Sequence, residues 1–354
     1  MEKIGILTFN RTVNYGAVLQ GYALEETFKK SGANALLINY ENSFVEGNET
    51  IKFRLGKGFV KRFVRSIQYR KKYKKFYKFI DSISSEKIYK RKDFLNGERP
   101  AIDKIVVGSD QVWNFKCSGK DHTFLLDCFV GIKKYSYAAS FGVSWLPEEQ
   151  VPVFKENLSK IEKISIREKT GEKILNEQLG LESNVVLDPT LLLTKSEWKE
   201  RMSINENGKK YILVYAIQLS EPVKKIAMEM SKLYNVPIYN ISQSAKDFWG
   251  DKCIKNAGPH EWIDLFLGAS FVVTDSFHGT AFSVNFNKQF YAYANNEKKS
   301  RIVDLLQTLE LEDRRISDIS EIDSKKQIDY NRVNEKLNEE RKKSLEFIES
   351  IIND

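Results

Sequence analysis

The chain has 354 residues, enough for two domains of ordinary size. It is 42% hydrophobic and 29% charged, the balance of a globular protein rather than of a disordered or membrane-embedded one. No stretch is long enough for a membrane-spanning helix. The start, MEKIGILTFN, lacks the basic region, long apolar run and small-residue cleavage site of a signal peptide. The formal charge is +8, and three widely spaced cysteines, Cys117, Cys128 and Cys253, provide neither a disulfide framework nor a Cys-x-x-Cys metal site; a cytoplasmic location is expected.

In chain order, short apolar runs alternate with segments of helical length. KIGILTF reads as a first strand. AVLQGYALEETFKKSG reads as an amphipathic helix with Leu19, Tyr22, Ala23 and Phe28 on one side and Gly32 as its stop. NALLINY is the next strand. Between Lys52 and Lys78 much of the positive charge is concentrated, in IKFRLGKGFVKRFVRSIQYRKKYKKFYKFI. Phe59, Val60, Phe63, Val64 and Ile67 fall there at roughly helical spacing. This segment, 52–80, is read either as a solvated helix on a domain rim or as one lying on an anionic membrane surface. IDKIVVGSD, KKYSYAASFG, KISIRE and NVVLDPTLLL each contain a strand, with PEEQVPVFKENLSK a helix between them. Strand–helix alternation of this kind predicts a parallel sheet covered on both faces.

A break falls near Leu193. Thr194 and Glu197 have the spacing of a capping box ahead of Trp198, and the turn-rich INENGKK follows. A second series then runs YILVYAI, a helix from Pro222 to Leu233, VPIYNIS, a helix around EWIDLFLGAS, FVVTDS, a short helix and QFYAYA. The tail from Tyr330 to Ile352 is charged, with an apolar stripe at Val333, Leu337, Leu345, Ile348 and Ile352. The expected domains are therefore 1–193, 194–324 and a C-terminal helix in 325–354 that packs back on the first domain.

Ligands of open α/β sheets bind beyond the carboxyl ends of the strands. VVGSDQVWN, KISIRE and FVVTDSFHG lie at such ends. His278, one of three histidines, follows a strand in a Ser-Phe-His-Gly turn that leads into a helix. It can face a ligand or simply hydrogen-bond the turn. Gly279 allows close backbone approach, and Thr280 can begin a helix whose free N–H groups suit a phosphate or carboxylate. Arg167 offers a fork for an anion, or an ion pair with a neighbouring Glu. Asp110, after Gly108 and Ser109, can bind sugar hydroxyls or act as a base, or can cap the next turn. Asn14 to Ala17 form a small-residue loop without a GxGxxG pattern. His122 and His260 read as structural, and no metal triad is present.

Together the stretches NYGAVLQGYAL, VVGSDQVWN, DHTFLLDCFV with KKYSYAASFG, ISIREKTGEKIL, VVLDPTLLL, VVTDSFHGTAFS and KSRIVDLLQTLELEDR resemble the polysaccharide pyruvyl transferase family. They run in this order from Lys3 to Arg314. The resemblance implies an α/β fold of two Rossmann-like domains facing a cleft, like the type-B glycosyltransferases. It implies phosphoenolpyruvate as donor substrate, no separate cofactor or metal, and a glycan acceptor that can be polyprenyl-diphosphate-linked. His278 and Asp110 would be catalytic. Arg167, Ser276, Phe277, Gly279, Thr280 and Arg301 would bind the donor, and Asn14, Tyr15, Gly16, Ser109 and Trp113 the acceptor. Some family members have an arginine where this chain has Ser276, and a serine cannot replace a guanidinium charge. The competing readings are a type-B glycosyltransferase using a nucleotide sugar and a non-catalytic nucleic-acid- or membrane-binding protein. No nucleic acid is expected as partner, because no RNA-binding or helix-turn-helix motif accompanies the basic stretch. Work on a lipid-linked acceptor would place the enzyme at the inner face of the membrane.

Overall fold

The computed structural model describes residues 2–49, 59–204, 208–242, 248–294, 300–323 and 326–354, and side chains are described for all of these except 47–49 and 59–69. The chain divides into two compact units. Unit 1 comprises Met1–Arg54, Phe76–Leu192 and Glu340–Asp354; unit 2 comprises Leu55–Lys75 and Leu193–Glu339. The division at Leu192–Leu193 sits beside the break read from the sequence. Residues 55–75, read there as part of the first domain, group with unit 2.

Unit 1 is built on a parallel sheet of β1 (Lys3–Leu7), β2 (Asn34–Leu37), β3 (Lys104–Val107) and β4 (Lys133–Ser136), in the order β2-β1-β3-β4. A parallel pair, β5 (Ser165–Ile166) and β6 (Asn184–Val185), continues beside it through bridges from Lys163 to Tyr135 and from Ile166 to Ala139. All four residues of β3 are buried, as a strand covered on both faces requires. Leu7, Val107, Trp113, Phe124 and Phe141 belong to one hydrophobic core. Burying each such side chain is worth about 1.5–3 kcal/mol.

Unit 2 holds a six-stranded parallel sheet: β7 (Ile212–Tyr215), β8 (Ile238–Ile241), β9 (Lys252–Ile254), β10 (Phe271–Thr274), β11 (Gln289–Tyr293) and β12 (Arg315–Ile316), in the order β12-β11-β10-β7-β8-β9. β10 and β7 are central and wholly buried. The expected α/β class with parallel sheets is thus observed in both units. The two edge strands β9 and β12 were not legible in the sequence, since two or three residues carry no period. The Thr194–Glu197 capping box forms as spaced: the Glu197 backbone N–H donates to Thr194 Oγ1 at 3.3 Å, and the Thr194 backbone N–H donates to Glu197 Oε2 at 2.7 Å.

The C-terminal helix Tyr330–Ile352 enters unit 1 from Glu340 onward. Its buried stripe is Val333, Leu337, Ser344, Ile348 and Ile351; Leu345 and Ile352 are only half-buried. Ser344 holds a stripe position because its hydroxyl accepts from the Leu187 backbone N–H and donates to the Glu340 carbonyl. At the helix end the carbonyls of Ile351 and Ile352 accept from Lys104 Nζ at 3.1 and 2.9 Å, and that of Ser350 accepts from Lys163 Nζ at 2.6 Å. Cations there satisfy orphan carbonyls and oppose the helix dipole.

Asp354 accepts from Tyr135 Oη at 2.6 Å, and with Lys163 and Lys133 nearby its carboxyl is held down from 3.8 to about 2. A depressed folded-state pKa contributes stability that is present above the unfolded value and lost as pH falls through the folded one. Hydrogen exchange is therefore expected to show residues 348–352 losing protection as pH drops from about 4 to 2. Asp354→Asn should remove that pH dependence.

Candidate functional site

In unit 1 the carboxyl ends of β3, β4 and β5 bring Ser109, Asp110 and Arg167 together. Arg167 Nη1 donates to Asp188 Oδ2 at 2.7 Å and to Ser109 Oγ at 3.4 Å. Nη2 lies 3.6 Å from Asp110 Oδ1, and Nε lies 3.8 Å from Glu168 Oε2. The Arg167 side chain is 1% exposed and that of Asp188 0%. Burial opposes the guanidinium charge, but Asp188, Asp110 and Glu168 outweigh it and hold its pKa above the ordinary value. One cation thus faces three carboxylates. Of the two roles open to Arg167 from the sequence, this geometry is that of an ion pair, with Asp188 rather than the neighbouring Glu168 as the close partner.

Asp188 and Glu168 were the functional-looking residues that sequence reasoning missed. Asp188 was visible in VVLDPTLLL, but its Asp-Pro pair reads as a simple turn. Its Oδ1 accepts from the Thr190 backbone N–H and from Thr190 Oγ1, and its Oδ2 from Ser109 Oγ. Glu168 accepts from Ser140 Oγ at 2.7 Å.

Asp110 has φ +76°, and Ala138, two residues past β4, has φ +51°. Both lie in the left-handed region that disfavours side chains, and Asp110 bridges Ala139. Its Oδ1 also accepts from the Gln111 backbone N–H at 2.8 Å. A non-glycine residue held in this way at a strand end is a recurrent mark of a working site.

The other expected acceptor residues lie at the start of the first helix and in the loop after β3. Asn14 is the N-cap of the helix Tyr15–Lys30, its side chain accepting from the Ala17 N–H. Tyr15 and Gly16 are buried, with the Tyr15 ring 4.9 Å from that of Phe76. Trp113 is 0% exposed and its indole N–H donates to the Phe124 carbonyl at 3.1 Å, so it is a core residue. Asn10, which follows β1, is fully buried, and neither end of its amide is hydrogen-bonded among the described residues. Nothing in LTFNRTVN marked Asn10 from the sequence.

In unit 2 the turn after β10 forms the second candidate region. Thr274 Oγ1 donates to the Tyr215 carbonyl at 2.6 Å and accepts from the Ser276 backbone N–H. Asp275 accepts the backbone N–H groups of Ile217 and Gln218, which ties the turn to the end of β7. Ser276 caps the helix Phe277–Asn285, its hydroxyl accepting from the Gly279 N–H at 3.5 Å. The helix thus begins at Phe277 and not at Thr280. The Thr280 hydroxyl donates to the Ser276 carbonyl, so it braces the first turn.

Gly279 is required by the packing of the fold itself. A Cβ there would lie 2.1 Å from Thr274 Oγ1 and 3.0 Å from Tyr215 Cδ1. The missing side chain lets the helix sit tightly on β10 and β7, and the close approach is between elements of the fold. His278 is 8% exposed in the first turn of this helix, its ring edge-on to Phe277 with centroids 5.2 Å apart. Arg301, on the helix Ser300–Thr308, places its guanidinium carbon 5.9 Å from the centre of the Phe277 ring. Phe277 thus meets both the His278 ring and the Arg301 guanidinium, so a guanidinium lies near the turn although Ser276 itself carries none.

The basic segment is described only in part: 52–58 lies outside the described residues. The helix Phe59–Ile83 follows. Its described apolar residues pack inside the protein, Phe76 on Tyr15 and Phe79 on Tyr22. Lys72 is buried and Lys75 pairs with Glu261, whereas Arg70, Lys71, Lys74 and Lys78 are exposed. No helix among the described residues is long and apolar enough to cross a membrane, and no group of three or more His, Cys, Asp or Glu among them is arranged to hold a metal ion.

A family model described as polysaccharide pyruvyl transferase matches residues 14–297. No curated protein sequence matches the chain. Among solved structures, the fold is similar to that of Methanocaldococcus jannaschii UDP-GlcNAc 2-epimerase in complex with UDP-GlcNAc and UDP. The TM-score is 0.53 at 14% identity, covering 100% of this chain and 99% of that one. It is also similar to UDP-GlcNAc 2-epimerase from Neisseria meningitidis bound to UDP-GlcNAc, with TM-score 0.52, 10% identity and 100% of each chain covered. These likenesses show the type-B glycosyltransferase-like α/β fold.

Proposed function

The chain belongs to the polysaccharide pyruvyl transferase family, and from that premise we propose that it moves pyruvate from phosphoenolpyruvate to a pair of hydroxyls on a surface-polysaccharide precursor. The donor gains a proton at its methylene carbon while one sugar hydroxyl adds to C2 and gives up its own proton. The C2–O bond to phosphate then breaks, and the second hydroxyl adds at C2 with loss of its proton. The products are a cyclic ketal and inorganic phosphate.

The observation that carries this reading is the β10 turn, where His278 and Arg301 adjoin the start of the Phe277–Asn285 helix. An imidazole there can deliver the proton or bind the phosphate, and the Arg301 guanidinium can take one of the donor's anionic groups. Arg301 is the residue proposed to compensate for Ser276. In unit 1 the strained Asp110 is proposed to orient or deprotonate an acceptor hydroxyl. Arg167, engaged with Asp188, is proposed to position Asp110 rather than to clamp an anion on its own.

The test is phosphate release from phosphoenolpyruvate against a panel of galactosides, mannosides and glucosides, free and lipid-linked. Acceptor-dependent release is expected. No release with any acceptor, together with binding of a nucleotide sugar, would replace pyruvyl transfer by glycosyl transfer.

An acceptor carried on a lipid would bring the enzyme to an anionic membrane. The exposed Arg70, Lys71, Lys74 and Lys78 are proposed to contribute to that contact. Each such cation is worth about 1 kcal/mol at an anionic surface, so neutralising all four should weaken vesicle binding by roughly 100-fold or more. Unchanged sedimentation with phosphatidylglycerol vesicles would remove the membrane from the proposal.

A further inference from the structure

We propose that unit 1 carries a separate binding site for the phosphate ester of a ring compound, in a cleft of about 520 Å³ beyond the end of β2. The cleft is bordered by the segment after β2, by the start of the short helix Arg91–Leu95 and by the turn at Ser118–His122. None of its residues has a role in the reaction described above.

Its charge is positive once the ion pairs are counted. Arg91 makes a two-point contact with Asp127 at 2.8 and 2.5 Å, and Lys90 pairs with Glu41 at 2.9 Å. The remaining carboxylate, Asp121, accepts from Tyr40 Oη at 2.5 Å and from Asn42 Nδ2 at 2.8 Å. Lys92 and Lys120 line the same cleft, both are exposed, and neither makes a side-chain ion pair or hydrogen bond among the described residues. Two uncommitted ammonium groups on one concavity favour a dianion, and a phosphate monoester is close to that charge at neutral pH.

The cleft is also built rather than incidental. Lys120 has φ +62°, a conformation unfavourable for a lysine, and is held there by its backbone N–H on the Phe115 carbonyl at 3.1 Å. Its neighbour Gly119, at φ +68°, leaves room for Phe44: a Cβ on Gly119 would lie 2.4 Å from Phe44 Cγ. That packing fixes the Phe44 ring at the cleft while leaving the residue 44% exposed, a platform for the face of a sugar or base. Ser118, also in the lining, has a buried hydroxyl with no hydrogen-bond partner among the described residues.

Titration calorimetry on the whole 354-residue chain tests the site with four probes: N-acetylglucosamine 1-phosphate, UDP-N-acetylglucosamine, unphosphorylated N-acetylglucosamine and inorganic phosphate. At least one phosphorylated sugar should bind, more weakly as salt rises, and the tighter of the two separates a simple sugar phosphate from a nucleotide-linked source. Lys92→Ala with Lys120→Ala should weaken it roughly tenfold or more, the scale of a charge-assisted contact. Phe44→Ala should weaken the sugar phosphate and leave inorganic phosphate unchanged. The lysines are exposed, so unaltered melting curves should accompany the loss, and a charge-reversed Lys120→Glu variant should abolish binding. Absence of binding by both phosphorylated sugars, equal binding by unphosphorylated sugar, or affinity unchanged in the lysine variants would overturn the proposal. No arm uses phosphoenolpyruvate, so failure here and failure of the pyruvyl-transfer reading are distinct results.

Discussion

Replacing His278 by alanine is expected to lower kcat for acceptor-dependent phosphate release by about 10²–10⁴-fold, the usual contribution of a positioned general acid. The protein should remain folded, because alanine is the best helix former and Phe277–Asn285 keeps its Ser276 cap. Melting within about 1 kcal/mol of wild type would confirm that the loss is chemical. The split between constants assigns the role. A fall in kcat with KM for phosphoenolpyruvate unchanged means that His278 acts on the transition state, as a proton donor would. A rise in KM alone means that it holds the phosphate in ground state and transition state alike. Wild-type kinetics in the variant would remove His278 from the site and with it the observation on which pyruvyl transfer rests. Arg301→Ala, read in the same assay, should act mainly through KM, as expected for a side chain that only holds charge.

The second large effect concerns stability. Arg167→Ala leaves Asp110, Glu168 and Asp188 without the cation they surround. Removing one member of a buried charge cluster costs about 3–5 kcal/mol. At about 2–4 °C per kcal/mol for a unit of this size, the melting temperature should drop by roughly 10 °C. Asp188→Ala should come next, since it removes the 2.7 Å contact and also leaves Ser109 and Thr190 without their shared acceptor. Asp110→Asn should cost less than either, because Asp110 lies 3.6 Å from the guanidinium and an amide oxygen can still accept from the Gln111 N–H. The same Asp110→Asn variant should lose activity if the strained carboxylate meets the acceptor. Stability near wild type in Arg167→Ala would show that the guanidinium is not a structural centre. A donor-binding role for Arg167 would then be the better account.

How much of this was legible beforehand differs by level. The fold class was readable because burial on both faces of a parallel sheet forces continuous apolar runs such as IVV and FVV, and those runs stand out between amphipathic helices. The helix cap at Thr194 was readable because a capping box is a local spacing rule. At Ser276–His278 the strand and the turn after it were readable from order along the chain, but the start of the helix was placed three residues late, at Thr280 instead of Phe277.

Other features were fixed by contacts that chain order does not encode. Asp188 lies 21 residues beyond Arg167, and only the juxtaposition of the β5 and β6 ends makes it that arginine's partner. The resemblance implies an acceptor role for Trp113, and only the folded structure shows that its ring lies in the core with its N–H on the Phe124 carbonyl. That Gly279 is also needed for the helix to pack on Thr274 and Tyr215 was not readable from its place in the turn. Lys92 and Lys120 were two among 56 basic residues. Their meaning depends on which neighbouring carboxylates are already paired, and pairing is decided by distances of 3–4 Å across segments far apart in the chain. By itself, then, the sequence determined the rhythm of strands and helices and the local turns, because those depend on neighbours within a few residues. Charge balance, burial and the identity of each side chain's partners were decided by the tertiary structure, because electrostatic and packing energies depend on distance in space.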